Sequence, residues 1–354
     1  MSILINVDNW GMNFKQAVAP SNPTNGMTWY DTTNNVHKIY VEDTSTWIEL
    51  GFLLGLGQDY GYCMAGNAPT EKYSVVDRIT FPFDSGTASV VGNINQSKYE
   101  CSGCSSSVYG YCIGGYISDR LSNIDRIMFP FDSGTGSAVG NLSQVRTGPA
   151  GCNSSNYGFS MGGGYAASTN TTAIDRITFP FDSGTTSVVG NLNYSIQAAS
   201  GYNSSNYGYC AGGYNGFSNI DRITFPFASG TASGVGSLTT ANAFTGGCNS
   251  SNYGYTPGGY TGSYYSKVER IAFPFDSGTA SHTGNLTYTP YGAASFNSTN
   301  YGYAVCGLYT GYYSFINRMT FPFSSGTATN TGSLSHTKYG CAGIDGTDFV
   351  SLFG

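Results

Sequence analysis

The tripeptide Phe-Pro-Phe occurs six times in this chain of 354 residues, and its spacing limits the possible folds more than any other feature. The copies lie at residues 81–83, 129–131, 179–181, 225–227, 273–275 and 321–323, which are 48, 50, 46, 48 and 48 residues apart. A catalytic motif is rarely needed six times. A structural unit that cannot bury its apolar face alone is repeated, because each copy then covers its neighbour. We therefore expect a repeat protein.

Each repeat predicts four short strands. In residues 196–238 the segments AASGYNSS, NYGYCAGGY, NIDRITFPF and SGVGSL follow one another. They are rich in aromatic and β-branched residues and are bounded by Gly, Asn or Ser, which is typical of strands joined by tight turns, and we name them A, B, C and D. The 50 glycines leave no long helical pattern. The fold class is therefore predicted to be all-β, a β-propeller of four-stranded antiparallel blades.

The number of blades stays open between two solutions. Six C–D halves are visible, but the spacing from Leu334 to Phe349 matches that between earlier D and B strands, so YGCAGI and DFVSLFG predict a seventh A and B. The hairpin MTWYDTTNNVHKIYV at 27–41 would supply the missing C and D, and residues 47–56 would form a degraded A strand of the first blade. We favour seven blades, the last shared by the two termini, because sharing removes an open edge. The alternative is six blades with an independent N-terminal hairpin.

Length differences between repeats are confined to the B–C connection from the second unit on. In an antiparallel blade the B–C and D–A connections leave on one face, and loops that a rigid scaffold presents carry function. Tyr among Ser, Gly and Asn is typical of adaptable binding surfaces. Ten aromatic residues of the B–C loops are therefore predicted to bind a ligand or partner: Tyr116, Tyr165, Tyr214, Phe217, Tyr260, Tyr264, Tyr265, Tyr309, Tyr312 and Tyr313.

An acidic residue followed by Arg recurs just before the Phe-Pro-Phe motif. Neighbours on a strand point to opposite faces, so each is predicted to pair structurally with a neighbouring strand or blade and not with the other. The set comprises Asp77 and Arg78, Asp125 and Arg126, Asp175 and Arg176, Asp221 and Arg222, Glu269 and Arg270, and Arg318 after Asn317.

Several classes of function are disfavoured by composition. The net charge is −6 and no Lys/Arg cluster occurs, so nucleic-acid binding is not expected. No apolar run approaches the length of a membrane span, and the N-terminus lacks a basic start followed by an apolar stretch, so neither membrane insertion nor a signal peptide is expected. Six of the nine cysteines alternate with Tyr, Phe, Ser and Thr at two repeat positions, which indicates small fillers of the core; they are Cys63, Cys104, Cys112, Cys152, Cys210 and Cys248.

Catalytic chemistry is not visible either. The three histidines lack a metal-ligand neighbour at useful spacing, and no G-x-S-x-G elbow occurs. Glycoside hydrolysis needs two carboxylates facing one sugar, and the nonrepeated acids Glu71, Glu100, Asp119 and Asp345 cannot be shown to converge. We therefore expect no catalytic residue, no metal, no cofactor and no enzymatic activity.

Two resemblances follow from these motifs. The paired glycines of strand B, as in Gly114-Gly115 and Gly212-Gly213, resemble the kelch repeat, without its later Trp. The segment WYDTTNNVHKIYVEDTSTWIEL, Trp29 to Leu50, is similar to a segment common in bacteriophage virion and tail-fibre proteins. The array FPFDSGTAS, VGNL and NSSNYGY resembles repeats of phages that infect marine cyanobacteria.

The resemblances imply a phage virion protein of a tail or fibre, made in the host cytoplasm. Residues 1–26 are predicted to form an N-terminal arm, 27–50 a hairpin segment that supplies closing strands or attaches to the virion, and 51–354 the propeller. The expected partners are other virion or tail proteins and a host-surface glycan or protein. In one reading the variable face recognises that receptor; in the other the chain is a structural component whose loops dock another virion protein.

Overall fold

The structure is a computed structural model that describes residues 14–16, 18–19, 21–24, 27–31, 36–41, 45–49, 59–166 and 169–346. Its contacts divide the chain into two units, residues 1–58 with 348–354 and residues 59–347. The described secondary structure consists of strands. No helix in the described ranges is long and apolar enough to cross a membrane.

The described strands of the first unit form one four-stranded sheet. They are β1 (Phe14–Gln16), β2 (Thr28–Asp31), β3 (Val36–Val41) and β4 (Thr46–Glu49), in that spatial order. The indole of Trp47 packs edge-on against Trp29, with ring centroids 5.4 Å apart. The hairpin predicted at 27–41 therefore exists, but it belongs to its own sheet and supplies no blade. The predicted A strand at 47–56 is wrong where it is described, because β4 pairs with β3; residues 50–56 lie outside the described residues.

Residues 59–166 and 169–346 form six four-stranded antiparallel sheets in a ring, a six-bladed β-propeller whose blades each run from strand A at the axis to strand D at the rim. Blade 1 consists of β30 (Ala342–Gly346), β5 (Tyr60–Asn67), β6 (Lys72–Thr80) and β7 (Ser89–Asn93), and blade 2 of β8 (Ser102–Ser105), β9 (Tyr109–Ile113), β10 (Leu121–Met128) and β11 (Ser137–Arg146). Blade 3 consists of β12 (Ala150–Asn153), β13 (Tyr157–Met161), β16 (Ala173–Thr178) and β17 (Ser187–Asn191), with the hairpin β14 (Gly164–Ala166) and β15 (Thr169–Asn170) in its B–C connection.

The remaining three blades repeat this plan. Blade 4 consists of β18 (Ser200–Asn203), β19 (Tyr207–Gly213), β20 (Phe217–Thr224) and β21 (Ser233–Ser237), and blade 5 of β22 (Cys248–Asn249), β23 (Tyr253–Tyr260), β24 (Tyr264–Ala272) and β25 (Ser281–Asn285). Blade 6 consists of β26 (Ala294–Asn297), β27 (Tyr301–Leu308), β28 (Tyr312–Thr320) and β29 (Thr329–Ser333). Buried apolar side chains of neighbouring blades pack together, as Ile174 of blade 3 and Ile223 of blade 4 do in one cluster.

The ring closes by pairing the last described strand with the first blade. Strand β30 pairs antiparallel with β5, with Ala342 opposite Met64 and Ile344 opposite Tyr62. Residues 339–344 therefore lead into the A strand of blade 1 and do not open a seventh blade. The favoured count of seven is wrong, and the six-blade alternative is correct. The predicted seventh B strand at 348–354 lies outside the described residues.

The recurring Arg and Phe-Pro-Phe residues form the joint between neighbouring blades. Arg78 donates a hydrogen bond to the Phe131 carbonyl at 3.2 Å, pairs with Asp132, and lies over the Tyr60 ring, 4.4 Å from its centroid. The Tyr62 hydroxyl accepts a hydrogen bond from the Phe131 N–H at 3.0 Å. Equivalent arginine-to-carbonyl bonds join Arg126 to Phe181, Arg176 to Phe227, Arg222 to Phe275, Arg270 to Phe323 and Arg318 to Phe83. The last of these bonds links blade 6 to blade 1.

The acidic residues that precede these arginines in the sequence, such as Asp77 before Arg78, are buried. In three of the described blades the acid forms an ion pair with a buried cation from the preceding D–A segment. These pairs are Lys98 with Asp125 at 2.9 Å, Arg146 with Asp175 at 3.0 Å, and Lys338 with Asp77 at 2.8 Å. In blade 6 the acid is replaced by Asn317, which accepts hydrogen bonds from Thr287.

Candidate functional site

The inner A strands surround a central cavity of about 140 Å³. Its lining extends from Glu100, just before strand A of blade 2, to Asp345 near the end of strand A of blade 1. Small residues of the inner strands, such as Gly103, Gly151 and Gly201, line its middle, so the side chains that could recognise a ligand lie at its two ends, and the surfaces there are the candidate sites.

One end, which we name the loop mouth, is a ring of six D–A residues: Glu100, Gly148, Ala198, Phe244, Gly292 and Gly340. The backbone N–H of Gly148 donates to the Glu100 carbonyl at 2.7 Å, and four further bonds of 2.7–2.8 Å continue in the same way to Gly340. All six residues have left-handed φ angles between 51° and 71°. Residues other than glycine rarely adopt this conformation, so at Glu100 and Phe244 the hydrogen-bonded ring must impose it. The ring therefore holds these two side chains at the loop mouth.

Aromatic rings line the loop mouth in five of the six blades and form one connected cluster of contacts. We name this set the aromatic mouth; it comprises Tyr99, Tyr116, Tyr214, Phe244, Tyr260, Tyr264, Tyr291, Tyr309, Tyr312 and Tyr339. Phe244 stacks on Tyr291 with centroids 4.2 Å apart, and most other pairs meet edge to face. Edge-to-face contacts fix ring orientation, so the exposed faces are arranged before any ligand arrives.

A carboxylate lies among these rings. Glu100 accepts a hydrogen bond from the Thr147 hydroxyl at 2.7 Å. Burial raises the pKa of Glu100, although the Thr147 bond and the charge of Arg120 oppose the shift. Burial, assisted by the Glu100 charge, also raises the pKa of Tyr339 to about 12. The Tyr339 phenol is therefore protonated at neutral pH and can donate a hydrogen bond, while the Glu100 carboxylate close to it can accept one.

Six of the ten predicted binding residues belong to the aromatic mouth: Tyr116, Tyr214, Tyr260, Tyr264, Tyr309 and Tyr312. The other four lie elsewhere: Phe217 packs on Tyr194, Tyr313 stacks on Phe315, Tyr265 lies beside Lys267, and Tyr165 is exposed on the blade 3 hairpin. Four rings of the aromatic mouth were not among the predicted binding residues, and neither was Glu100: Tyr99, Phe244, Tyr291 and Tyr339. Their common signal is the position at, or one residue before, the left-handed residue of a D–A segment, which is Glu100, Phe244, Gly292 or Gly340.

The opposite end of the cavity, the turn mouth, is a ring of polar side chains: Ser105, Asn153, Asn203, Asn249, Asn297 and Asp345. The Asn153 backbone N–H donates to the Asn203 side-chain oxygen at 3.2 Å, and this pattern repeats between neighbouring blades. Asp345 replaces the amide in blade 1 and accepts from the Asn297 N–H. Burial, with the charge of Asp59 adding to it, raises the pKa of Asp345 to about 7.

Replacing Asp345 by asparagine is expected to stabilise the protein at alkaline pH. In the unfolded chain the Asp345 carboxyl ionises near pH 3.9, whereas in the native protein it ionises near pH 7. The native state is therefore destabilised as the pH rises from about 4, and the loss of stability reaches its full size above about pH 7. We expect D345N to raise the free energy of unfolding by about 1–2 kcal/mol at pH 8.5 and by little at pH 4. The figure at pH 8.5 is smaller than the pKa shift alone would give, because water at the turn mouth screens the charge. Urea denaturation of both proteins at the two pH values measures this. The reverse change N203D should destabilise with the same pH dependence; a D345N gain that is equal at both pH values would contradict the assignment.

The aromatic mouth offers flat ring faces, phenol donors and one carboxylate acceptor on a rigid support. Such groups bind a polar ligand that also has an apolar face. Glu100 and Asp345 lie at opposite ends of the cavity, so these two carboxylates cannot flank one scissile bond. The chain matches no protein-family model and no curated protein.

Proposed function

We propose that this chain is a bacteriophage virion protein of a tail or fibre that recognises a host-surface glycan through the aromatic mouth. The observation that carries the proposal is the connected cluster of ten rings at the loop mouth, with the Glu100 carboxylate close to Tyr99, Tyr291 and Tyr339. The resemblance of residues 29–50 and of the repeat array to phage virion proteins supports the biological setting. The protein acts by binding and not by catalysis.

The chemistry of the aromatic mouth favours a sugar over a purely apolar ligand. A pyranose ring has a C–H face that packs on an aromatic ring and hydroxyl groups that need donors and acceptors. Tyrosine supplies contact area at low entropic cost because it has few rotatable bonds. Tyr214 and Tyr309 have the most exposed side chains of the aromatic mouth, at 39% and 46%, and are therefore expected to make the outermost ligand contacts.

The test is glycan-array binding by the wild-type protein and two double variants. Y214A/Y309A should lower the affinity for the best glycan at least about tenfold, since stacked rings at binding sites contribute more than 1 kcal/mol each. Y165A/Y194A is the matched control, because these tyrosines are 43% and 44% exposed but lie outside the aromatic mouth. We expect its affinity to change less than about twofold. Equal losses in both variants would contradict the proposed site.

Two other results would redirect the proposal. The alternative function is a structural virion component whose loops dock another virion protein. An array without binding, together with virion incorporation that Y214A/Y309A abolishes and Y165A/Y194A does not, would favour that alternative. Release of reducing sugar from a bound glycan would show a hydrolase and overturn both.

A further inference from the structure

Three cysteine thiols from three separate chain segments converge in the interior. Cys63 lies in β5 of blade 1, Cys306 in β27 of blade 6, and Cys341 immediately before β30. Their sulfur atoms all lie within 4.8 Å of one another, and the Cys306 and Cys341 sulfurs are 3.5 Å apart. All three side chains are buried. We name this group the thiol cluster.

The position of Cys306 is unusual within the repeat. The same B-strand position holds Ala65 in blade 1 and a glycine in each of blades 2 to 5: Gly114, Gly162, Gly212 and Gly258. Cys306 has a left-handed φ of 57°, a conformation that is strained for a residue with a side chain. The equivalent residue of every blade has a left-handed φ, between 57° and 74°, so the fold imposes this conformation, and a cysteine at the position brings a third sulfur to the other two.

Blade 2 contains a near copy of the arrangement that lacks the third thiol. Cys112 and Cys101 occupy the same repeat positions as two members of the thiol cluster, Cys63 and Cys341, and lie in one core cluster with Ala65. Ala65 stands in that cluster at the position that corresponds to Cys306, with a φ of 67°. The chain therefore carries an internal two-thiol control.

A buried cation lies beside the thiol cluster. The buried Lys338 ammonium, paired with Asp77 at 2.8 Å, adds positive charge next to Cys63 and Cys341. A cation beside sulfur favours the deprotonated form that binds metal.

The sulfur geometry and the number of thiols determine the class of ion. Metal–thiolate bonds of about 2.3 Å place the sulfurs of one site about 3.8–4.0 Å apart. The sulfurs of the thiol cluster, 3.5 Å apart in one pair and at most 4.8 Å apart in the others, need to move by less than about 1 Å to reach that spacing. Thiolates select soft ions such as Cu(I) and Zn²⁺, but structural zinc takes four ligands. We propose that Cys63, Cys306 and Cys341 form a three-coordinate site for Cu(I).

The test titrates reduced protein, without oxygen, with Cu(I) against a chromogenic Cu(I) chelator. Equilibration takes hours, because an enclosed site opens only by local fluctuation. We expect one Cu(I) per chain and ultraviolet thiolate-to-copper charge-transfer absorption. Each cysteine can be replaced by the residue that another blade has at the same position. These variants are C63S, because blade 3 has Ser160 there, C306A, because blade 1 has Ala65, and C341A, because blade 6 has Ala293. Each variant should bind at least about 100-fold more weakly, and C101A should bind as the wild type does.

The blade 2 copy provides a test by gain of binding. A65C adds the missing third thiol, so we expect two Cu(I) per chain instead of one. Several results would overturn the proposal: no uptake by the reduced wild type, unchanged uptake by C306A, tighter binding of Zn²⁺ than of Cu(I), or a Cys306–Cys341 disulfide that forms in air while the reduced protein takes up no copper.

Discussion

Replacing Lys98 by methionine is expected to lower the free energy of unfolding by about 3–5 kcal/mol at neutral pH. The Lys98 ammonium is fully buried, pairs with Asp125 at 2.9 Å and donates to the Cys112 carbonyl at 3.2 Å. Methionine keeps the volume of the side chain but leaves the buried carboxylate of Asp125 without a cation. An uncompensated buried charge costs far more than the intact pair contributes.

The double variant K98M/D125N should recover most of this loss. Blade 6 already carries the uncharged solution, with Pro290 at the cation position and Asn317 at the acid position. Urea denaturation of the two single variants and the double variant gives a coupling energy, which we expect to exceed about 2 kcal/mol. Additive single losses would show that the pair does not determine the stability of this blade.

The pH dependence of K98M separates charge from packing. Acid neutralises a carboxylate that has lost its cation. The difference in free energy of unfolding between K98M and the wild type should therefore be smaller at pH 4 than at pH 8. Blade 4 offers a natural comparison, because Ile196 occupies the cation position and burial raises the pKa of Asp221. A deficit that does not change between these pH values would indicate lost packing instead.

The blade architecture could be predicted from the sequence, but the way the ring closes could not. Phe-Pro-Phe marks every C–D turn because it forms the joint with the neighbouring blade, so six joints appear as six motifs. Strand A carries no such mark: it is short, rich in small residues and varied in sequence. Strand β30 pairs with β5 across most of the chain, and local patterns do not encode a partner at that distance. The count of seven came from placing residues 339–344 in a blade of their own.

The same limit applies to the sites. Aromatic residues in the B–C loops were found because length variation pointed to those loops, whereas Tyr99 and Tyr339 lie in D–A segments that share few side chains. The thiol cluster combines three different repeat positions from three segments, so alignment of the repeats cannot reveal it. Only the packing of blade 6 against blade 1 brings Cys306 to Cys63 and Cys341.

The backbones of neighbouring blades approach one another closely at the propeller axis, in the A strands. The axial positions are Gly103, Gly151, Gly201, Gly247, Ser295 and Gly343. A Cβ atom added at Gly151 would lie closer than 3.0 Å to the Gly103 carbonyl oxygen, and one at Gly201 would meet the Gly151 carbonyl in the same way. These glycines do not have left-handed φ angles, so the requirement is for space and not for conformation.

Replacing Gly151 by alanine is therefore expected to be among the most damaging single-methyl changes in the chain. The obstacle is backbone of the next blade, which cannot rotate away as a side chain can, so relief would require the ring to widen. Overpacking of a rigid interior costs about 1–3 kcal/mol, and more where backbone must move, so we expect G151A to lower the free energy of unfolding by more than about 3 kcal/mol.

G234A is the matched control, because the nearest neighbours of its added methyl group would be 3.7 Å away and Ala138 occupies the same position in blade 2. Thermal and urea denaturation should show G234A within about 1 kcal/mol of the wild type, on the stabilising side because alanine restricts the unfolded chain. If G151A proved equally harmless, the A strands of neighbouring blades would have to be farther apart than the distance from a Gly151 Cβ atom to the Gly103 carbonyl oxygen indicates. The central cavity would then be wider than described.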